Sequence, residues 1–433
     1  MELPVKSHCR GLWILSPLLV FFLVYVLASV LAGDFYKMPV TVAFLAATAW
    51  AFVVSKPRVL NRLVDRFSQG AANPNIMMMI WIFILAGAFA GSAKFIGSVD
   101  ATVNLTLAVL PPNMLPAGLF LAACLISLSI GTSVGTIVAL MPVAAALAQT
   151  AGLSTPLVAG IVIGGAFFGD NLSFISDTTI ASTRTQGCMM KDKFRANFFI
   201  VLPAALLVLA IYVVLGMQFP GAVQAGPYVW GKVIPYLLVL VTAICGLNVM
   251  LVLVLGLFST GIAALCDPSL PLIDWAVAMG KGITGMGELI IVTLMAGGLL
   301  ELIRYNGGLN YIISNLTAKI SSRRGAEFTI ALLVSFANLC TANNTVAIVA
   351  VGDIARRVAE KFNVSPQRSA SLLDTFSCIV QGLLPYGAQL LMGASLAGVA
   401  TLDVIPFLFY NFALLVVCLL VIIIDRGRAC KNS

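Results

Sequence analysis

Apolar stretches of about 20 residues recur along this chain, from Leu12 to Ile424, and only short polar connections separate them. Each stretch is long enough to cross the hydrocarbon core of a bilayer as a helix. Of the 433 residues, 60% are hydrophobic and only 10% are charged, a balance far from that of a soluble domain. Because lipid offers the backbone no hydrogen-bond partner, we predict an all-α polytopic membrane protein.

Side-chain composition argues against several other classes of protein. The nine cysteines are scattered singly, with no CxxC pair and no metal-ligand spacing, so neither disulfides nor a zinc site are predicted. The net charge of +8 comes from short connections and not from one folded face, which argues against a nucleic-acid partner. Leu12–Leu31 lacks a small-residue cleavage site and is too long for a signal peptide, so we expect a retained first helix.

The hydrophobic pattern predicts about ten spans and two additional hairpins. Two spans are broken by polar and glycine residues, at Gly169–Asp177 and at Gln381–Gly387. The segments 115–147 and 328–358 each contain two apolar limbs around a polar tip, and limbs shorter than the ~30 Å core are typical of a re-entrant hairpin. The unbroken spans are predicted at Leu12–Leu31, Met38–Val54, Ile76–Ile96, Asn197–Met217, Tyr228–Cys245, Asn248–Leu265, Glu288–Ile303 and Val404–Ile424.

The two halves of the chain have the same order of interruptions. A shift of 211 residues places each tip and each break of the first half over its counterpart in the second, for example Asp170 over Gln381. We therefore predict a first repeat at residues 1–220 and a second at 221–433, each with five crossings and one hairpin. Because five is an odd number, the second repeat is expected to be inverted relative to the first.

Basic residues predict the orientation of the chain. Most of the 25 Lys and Arg fall in segments that these spans place on one side of the membrane. By the positive-inside rule, that side and both termini are predicted to be cytoplasmic, and we expect the cytoplasmic membrane of a bacterium. The basic segments are 55–75, 183–196, 304–326, 356–368 and the C-terminal tail.

Interruptions at matching positions of two inverted halves predict a transporter's binding site near the membrane midplane. The side chains there are carboxylates, amides and hydroxyls, a set that suits Na⁺ or a similar hard cation. For Na⁺ itself we predict Asp170, Asn171, Asn343 and Asn344. The candidate ion- or substrate-binding side chains are Thr132, Ser133, Thr136, Asn171, Ser173, Ser176, Thr178, Asn343, Asn344, Thr345, Thr375, Ser377 and Gln381.

Proton coupling requires a titrating group, and the only histidine, His8, lies in the N-terminal tail. Carboxylates are therefore expected to carry the proton. Burial favours the protonated form of a carboxylate, whereas a cation about 4 Å away favours the ionised form by a comparable amount, about 4 kcal/mol at an effective dielectric near 20. The candidates for proton or ion coupling are Asp170, Asp177, Asp374 and Glu301.

Most of these acids also have a structural interpretation. Asp170 and Asp177 would each suit the cap of a following half-helix, and Glu301 would suit an ion pair with Arg304. No Lys or Arg is expected near the midplane, which favours ions over a carboxylate substrate. Half-helix N-termini and hydroxyls are an alternative means of binding such a substrate.

Gly169–Thr179, which reads GDNLSFISDTT, closely resembles the signature of the NhaC-type sodium/proton antiporter family within the ion transporter superfamily. The match extends to Gly131–Thr136 and, more loosely, to Ala337–Thr345, Leu373–Thr375 and Leu384–Tyr386. The resemblance implies about ten spans with two re-entrant hairpins and Na⁺-coupled antiport. It also implies, in many members, a homodimer that works by an elevator-like shift of the hairpin-bearing part.

The sequence departs from that family at positions close to the predicted site. Asn171 and Phe174 stand where many members carry Lys and Pro, and Tyr386-Gly387 replaces a Trp-Asn pair. Relatives in the superfamily also exchange organic acids or move amino acids, so the departures bear on the choice of substrate.

The leading hypothesis is a secondary transporter that exchanges Na⁺ for H⁺ by alternating access, with no cofactor beyond the transported ions. The alternative keeps the fold but couples Na⁺ or H⁺ to an amino acid or a small organic acid. A channel is a weaker alternative. An intramembrane aspartyl protease, in which Asp170 and Asp374 would pair, is weaker still, and no enzymatic activity is expected.

Overall fold

A computed structural model describes residues 11–32, 39–56, 59–218, 225–317 and 320–424. Within these ranges the chain is helical and contains no strand. The two termini, which were predicted to be cytoplasmic, lie outside the described residues, and so does His8. The helices are α1 (Ser16–Ala32), α2 (Val40–Val54), α3 (Leu60–Ala71), α4 (Pro74–Phe95), α5 (Ser98–Val109), α6 (Leu115–Ile130), α7 (Ser133–Ala151), α8 (Thr155–Leu172), α9 (Asp177–Gln186), α10 (Met190–Met217), α11 (Trp230–Ile244), α12 (Val249–Cys266), α13 (Leu272–Gly285), α14 (Gly287–Tyr305), α15 (Gly308–Thr317), α16 (Arg323–Thr341), α17 (Asn344–Lys361), α18 (Pro366–Leu383), α19 (Ala388–Ala397), α20 (Thr401–Val404) and α21 (Phe409–Ile424).

Several of these helices are long and apolar enough to cross a membrane. Among the described residues six helical segments meet that test, or seven if one bent pair counts as a single span. Further apolar helices, such as α2 and α21, are shorter. The chain is therefore an all-helical protein with several membrane-spanning helices and bent helices, while the count of about ten spans stays a prediction.

The predicted interruptions coincide with helix ends. The pairs α6/α7 and α16/α17 turn at Gly131-Thr132 and Ala342-Asn343, and α8/α9 and α18/α19 are separated by 173–176 and 384–387. Gly131 has φ +73° and Ala342 has φ +48°, so both turns use the left-handed region of backbone conformation. Glycine adopts this region readily, but in the second turn the residue is an alanine.

Helix bounds recur along the chain at the predicted spacing. The helices α8 and α18 begin at 155 and 366 and end at 172 and 383, and α9 and α19 begin at 177 and 388, so each offset is 211 residues. The division into repeats at 1–220 and 221–433, and the inversion of one relative to the other, stay predictions.

Two expectations about the interrupted segments are wrong. Asp170 lies in the last regular turn of α8 and not in unwound chain, because α8 continues to Leu172 and the Ser173 amide still donates to the Gly169 carbonyl at 2.7 Å. The limbs of the hairpins are also longer than predicted: α7 alone has 19 residues and reaches Ala151. At 1.5 Å per residue it is about 28 Å long, so limb length does not argue for re-entry.

Four segments predicted as connections are helices. These four helices are α3, α5, α13 and α15. Because they contain charged or polar residues, the apolar pattern assigned their segments to loops. The helix α3 packs its Gly70 against α14, where an added Cβ would lie 2.5 Å from the Gly297 carbonyl oxygen. Amphipathic helices of 10 to 14 residues therefore lie between the longer ones.

The helices α8 and α18 form the centre of the molecule. Every residue from Leu157 to Leu172 and from Arg368 to Ile379 is buried, and α6, α7, α9, α10, α16, α17 and α21 surround them. A helix that is buried on all sides has no free face for solvent or lipid. Polar side chains on α8 and α18 must therefore find partners inside the protein.

Candidate functional site

The helix interruptions meet around one cavity of about 120 Å³. The first turns of α7, α9, α17 and α19, the last turns of α8 and α18, and one face of α4 form its wall. The structure therefore brings residues of both halves together at one place. The predicted side chains that line the cavity are Thr132, Ser133, Asp170, Ser176, Asp177, Thr178, Asn343, Asn344, Thr345 and Gln381.

The Asp170 carboxylate caps the first turn of α7. Its side chain is 4% exposed, and Oδ1 accepts a hydrogen bond from the backbone amide of Ser133 at 2.9 Å. The N-cap residue of α7, Thr132, makes no side-chain cap bond, so Asp170 satisfies one of the free amides of that helix from α8. The interpretation of Asp170 as a cap of the following half-helix is therefore wrong, because that helix, α9, has Ser176 as its N-cap. The Asp170 carboxylate caps the preceding helix α7 instead.

Gln381, the residue 211 positions after Asp170, binds the turn between α16 and α17. Its Nε2 donates to the Ala342 carbonyl and to Gln389 Oε1, both at 3.0 Å. Gln389 Nε2 in turn donates to Ser133 Oγ at 3.0 Å. A chain of hydrogen bonds therefore connects the two helix-pair tips through α18 and α19.

Two polar residues of the cavity wall were missed by sequence reasoning. Asn75 is the second residue of α4, and Gln389 lies in the first turn of α19. Gln389 is 211 residues after Thr178, which was a candidate, so the repeat spacing contained a signal for it. Asn75 has no such counterpart among the candidates.

The wall of the cavity combines positive helix ends with acidic side chains. The N-terminus of a helix carries roughly half a positive charge, and residues in the first turns of α7, α9, α17 and α19 line this cavity. Asp170 is buried, whereas Asp177 is exposed in the first turn of α9. At the start of α17, Asn343 Oδ1 accepts from the Val346 amide at 3.0 Å, so that end is capped by its own chain.

The other predicted binding residues lie behind the wall. Asn171 is buried and its Nδ2 donates to the Phe167 carbonyl and to the Tyr410 hydroxyl, at 2.9 and 3.1 Å. The hydroxyls of four more candidates donate to backbone carbonyls, so they also stabilise helices and turns; these are Thr136, Ser173, Thr375 and Ser377.

Asp374 is buried in an ion pair with Lys193. The Lys193 Nζ lies 2.8 Å from Asp374 Oδ2, and the Nδ2 of Asn197 donates to the same oxygen at 2.7 Å. Lys193 Nζ also contacts the Asn171 carbonyl oxygen at 2.9 Å and Thr179 Oγ1 at 2.7 Å. Asp374 therefore has a fixed cationic partner and does not line the cavity.

Lys193 pairs with one of the candidate acids, Asp374, whereas the sequence predicted no Lys or Arg near the midplane. Lys193 was assigned to a basic connection, but α10 begins at Met190, so Lys193 and Asn197 lie one turn apart on the face of α10 that is buried. Their spacing of four residues was the available signal. It was hidden because Lys191 and Arg195, next to them in the sequence, are exposed.

Glu301 lines a separate cavity of about 90 Å³. It forms an ion pair with Arg304, whose Nε lies 2.8 Å from Glu301 Oε2, as its structural interpretation predicted. Asn75 and Asn343 line both this cavity and the larger one, so the two cavities adjoin.

Known proteins resemble the chain over most of its length. The Na⁺/H⁺ antiporter family matches residues 10–217 and 228–424. The Na⁺/H⁺ antiporter NhaC of Alkalihalophilus pseudofirmus is 25% identical over 77% of this chain and 79% of that protein. The malate-2H⁺/Na⁺-lactate antiporter of Bacillus subtilis is 22% identical over 81% of each chain. The arginine/ornithine antiporter ArcD of Halobacterium salinarum is 23% identical over 80% of this chain and 79% of that protein.

The family match covers both halves of the helical core and the residues around the cavity. Together with the apolar helices, it identifies an integral membrane protein. The chain belongs to the Na⁺/H⁺ antiporter family.

Proposed function

We propose that this protein exchanges Na⁺ for H⁺ and that the Asp170 carboxylate carries each ion in turn. The observation that supports this most directly is the pairing of the buried charges. Within the described ranges the buried charged side chains are Asp170, Lys193, Glu327, Arg368 and Asp374. Lys193 pairs with Asp374 and Arg368 with Glu327, whereas none of the cationic side chains that the structure describes pairs with Asp170.

A buried carboxylate without a cationic partner is strongly unfavourable as a bare charge. It is stabilised either by a proton or by a bound cation, and at a single oxygen site the two exclude each other. Oxygen ligands are near: Thr132, Asn343 and Asn344 share the cavity with Asp170. Gln381 Oε1 is buried and has no hydrogen-bond partner among the described residues. These groups suit a hard cation.

Competition for one site yields exchange if the site opens to the two sides in turn. The adjoining cavity beside Glu301 is a candidate for one access route. A carrier of this kind would return across the membrane only when Asp170 holds either Na⁺ or H⁺, since the bare charge is costly in a low-dielectric core.

Asp170→Asn tests the proposal. Asparagine keeps a side-chain oxygen that accepts the hydrogen bond from the Ser133 amide. Its uncharged amide group, however, cannot take up a proton or neutralise Na⁺. In proteoliposomes we expect a Na⁺ gradient to drive a pH change in the wild type and essentially none in D170N. The matched control is Asp353→Asn, because Asp353 is an exposed acid on α17. Wild-type exchange in D170N would exclude Asp170 as the carrier.

An amino acid or a small organic acid, which carries a carboxylate, is the second candidate for the transported solute. The observation that favours it is the set of four helix N-termini around the cavity, since such ends bind carboxylates. Two relatives are named for carboxylate or amino-acid exchange. A pH change that requires added malate, lactate, arginine or ornithine would support this candidate, and one with Na⁺ alone would support ion exchange.

The proposal also includes the setting of the transporter. We infer the cytoplasmic membrane of a bacterium, with the basic segments and termini on the cytoplasmic side, because basic connections are retained there. A homodimer is inferred from the family resemblance alone.

A further inference from the structure

The ammonium group of Lys193 lies among three oxygens from three helices. Nζ is 2.8 Å from Asp374 Oδ2 on α18, 2.9 Å from the Asn171 carbonyl oxygen on α8 and 2.7 Å from Thr179 Oγ1 on α9. A protonated lysine has three donors and no acceptor. Each donor has one oxygen, so the geometry fits the charged form.

These three oxygens are also the ligand types of an alkali-metal site: a carboxylate, a backbone carbonyl and a hydroxyl. The Asn171 carbonyl belongs to the last turn of α8, where carbonyls lack partners within the helix and the helix dipole is negative. Two further oxygens, Asp374 Oδ1 and Asn197 Oδ1, are buried without a hydrogen-bond partner among the described residues. The group therefore has more acceptor oxygens than Lys193 uses.

We propose that Lys193 is a resident cation in an alkali-ion cage, defined as the oxygens of Asp374, Asn171 and Thr179 that contact its Nζ. The ammonium fills the place of a second metal ion and neutralises Asp374 permanently. Each protomer then holds one exchangeable Na⁺, at Asp170. Without the Lys193 ammonium, a second Na⁺ would bind in the cage. The exchangeable ion rests on the function proposed above, whereas the cage does not.

Emptying the cage tests this directly. Lys193→Ala removes the ammonium and its stem, which leaves space and an unpaired Asp374. We expect purified wild type to bind one radioactive Na⁺ per protomer at equilibrium, K193A to bind two, and the double variant K193A/D374N to bind one. The thermal midpoint of K193A should also rise with Na⁺ concentration more steeply than that of the wild type.

Two controls separate the cage from a general loss of structure. Lys193→Met removes the charge but fills the space, so we expect no additional Na⁺ and no additional Na⁺ dependence of the thermal midpoint. Lys191→Ala removes an exposed lysine from the start of the same helix and should match the wild type in both measurements. A folded K193A that binds no more Na⁺ than the wild type would overturn the proposal.

If K193A fails to fold, the double variant K193A/D374N tests whether Lys193 neutralises Asp374. Removal of both charges leaves no unpaired charge in the cage, so K193A/D374N should be recovered in higher yield than K193A and should unfold at a higher temperature. A double variant no better than K193A would show that the two charges are not coupled, and the resident cation would be excluded.

The outcomes also distinguish this proposal from the proposed function. If the wild type binds no Na⁺ but K193A binds one that D374N removes, the cage stands and the Asp170 site fails. If D170N abolishes wild-type binding while K193A gains nothing, the Asp170 site stands and the cage fails.

Discussion

At the scale of single residues, the buried carboxylates differ in whether a cationic side chain pairs with them. Glu327 Oε2 accepts two hydrogen bonds from the guanidinium of Arg368, at 3.1 and 2.9 Å, and Asp374 is matched by Lys193. A planar guanidinium holds a carboxylate in this two-point geometry better than an ammonium does. The pair at Glu327 is thus suited to a structural role.

We expect Arg368→Ala to destabilise the protein by about 3 kcal/mol, the lower end for breaking a buried ion pair, because Arg323 Nε remains 3.7 Å from Glu327 Oε1. Thermal unfolding in detergent measures the change. Arg356→Ala is the control, since the Arg356–Glu360 pair is exposed and should contribute under about 1 kcal/mol. Equal losses in the two variants would contradict the structural role of the buried pair.

The sequence predicted acids more successfully than bases. Asp170 and Asp374 interrupt apolar runs, and a charge within such a run is unfavourable enough to mark a buried site. Lys193 lies at the start of α10 between the exposed residues Lys191 and Arg195, and Arg368 lies at the start of α18 in a segment that the sequence assigned to a basic connection. Burial of one residue in such a segment depends on tertiary contacts, so composition and periodicity do not indicate it.

At the scale of elements, small residues set how closely helices approach. The helices α13 and α4 pack so tightly that a Cβ on Gly282 would overlap the Gly87 carbonyl. Close approach through small residues is the common basis of helix association in membranes. This contact attaches α13 to α4, which contributes one face of the candidate site.

We expect Gly282→Ala to destabilise the protein by about 1–3 kcal/mol, because the backbones must separate. Gly280→Ala, two residues away on the same helix, meets nothing within 4 Å and should be neutral or stabilise by up to about 1 kcal/mol. Thermal unfolding of the two variants measures the difference. If both have the same midpoint, backbone contact at Gly282 does not hold α13 in place.

The sequence predicted helix breaks well and short helices poorly. Glycine, proline and polar residues end a helix for local reasons, so the breaks near 173–176 and 384–387 were visible. The helices α3 and α5 have no comparable local signal, because their polar faces resemble connections and their stability depends on packing. The chain of hydrogen bonds through Gln381 and Gln389 likewise requires the folded arrangement of α18 and α19.

At the scale of the whole molecule, two cavities are lined by consecutive stretches of α14. Residues between Thr293 and Arg304 line the cavity beside the candidate site, whereas Glu288, Leu289 and Val292, in the first turns of the helix, line another of about 340 Å³. A helix of 19 residues is about 28 Å long. Alternating access, if it operates as proposed, requires routes to opposite membrane surfaces, and we propose these two cavities as the candidates.

Alternating access predicts that the two cavities open reciprocally. In a cysteine-depleted background, we expect a membrane-impermeant thiol reagent to label Thr341→Cys and Val399→Cys from opposite sides, since these residues line the two different cavities. A change of Na⁺ concentration or pH that slows labelling at one position should speed it at the other, because opening one route closes the other. The same change in D170N should leave both rates unaltered, as the ions would no longer shift the equilibrium between the two states. Labelling of both positions from the same side, or parallel changes in both rates, would show that the cavities are not alternating routes to Asp170.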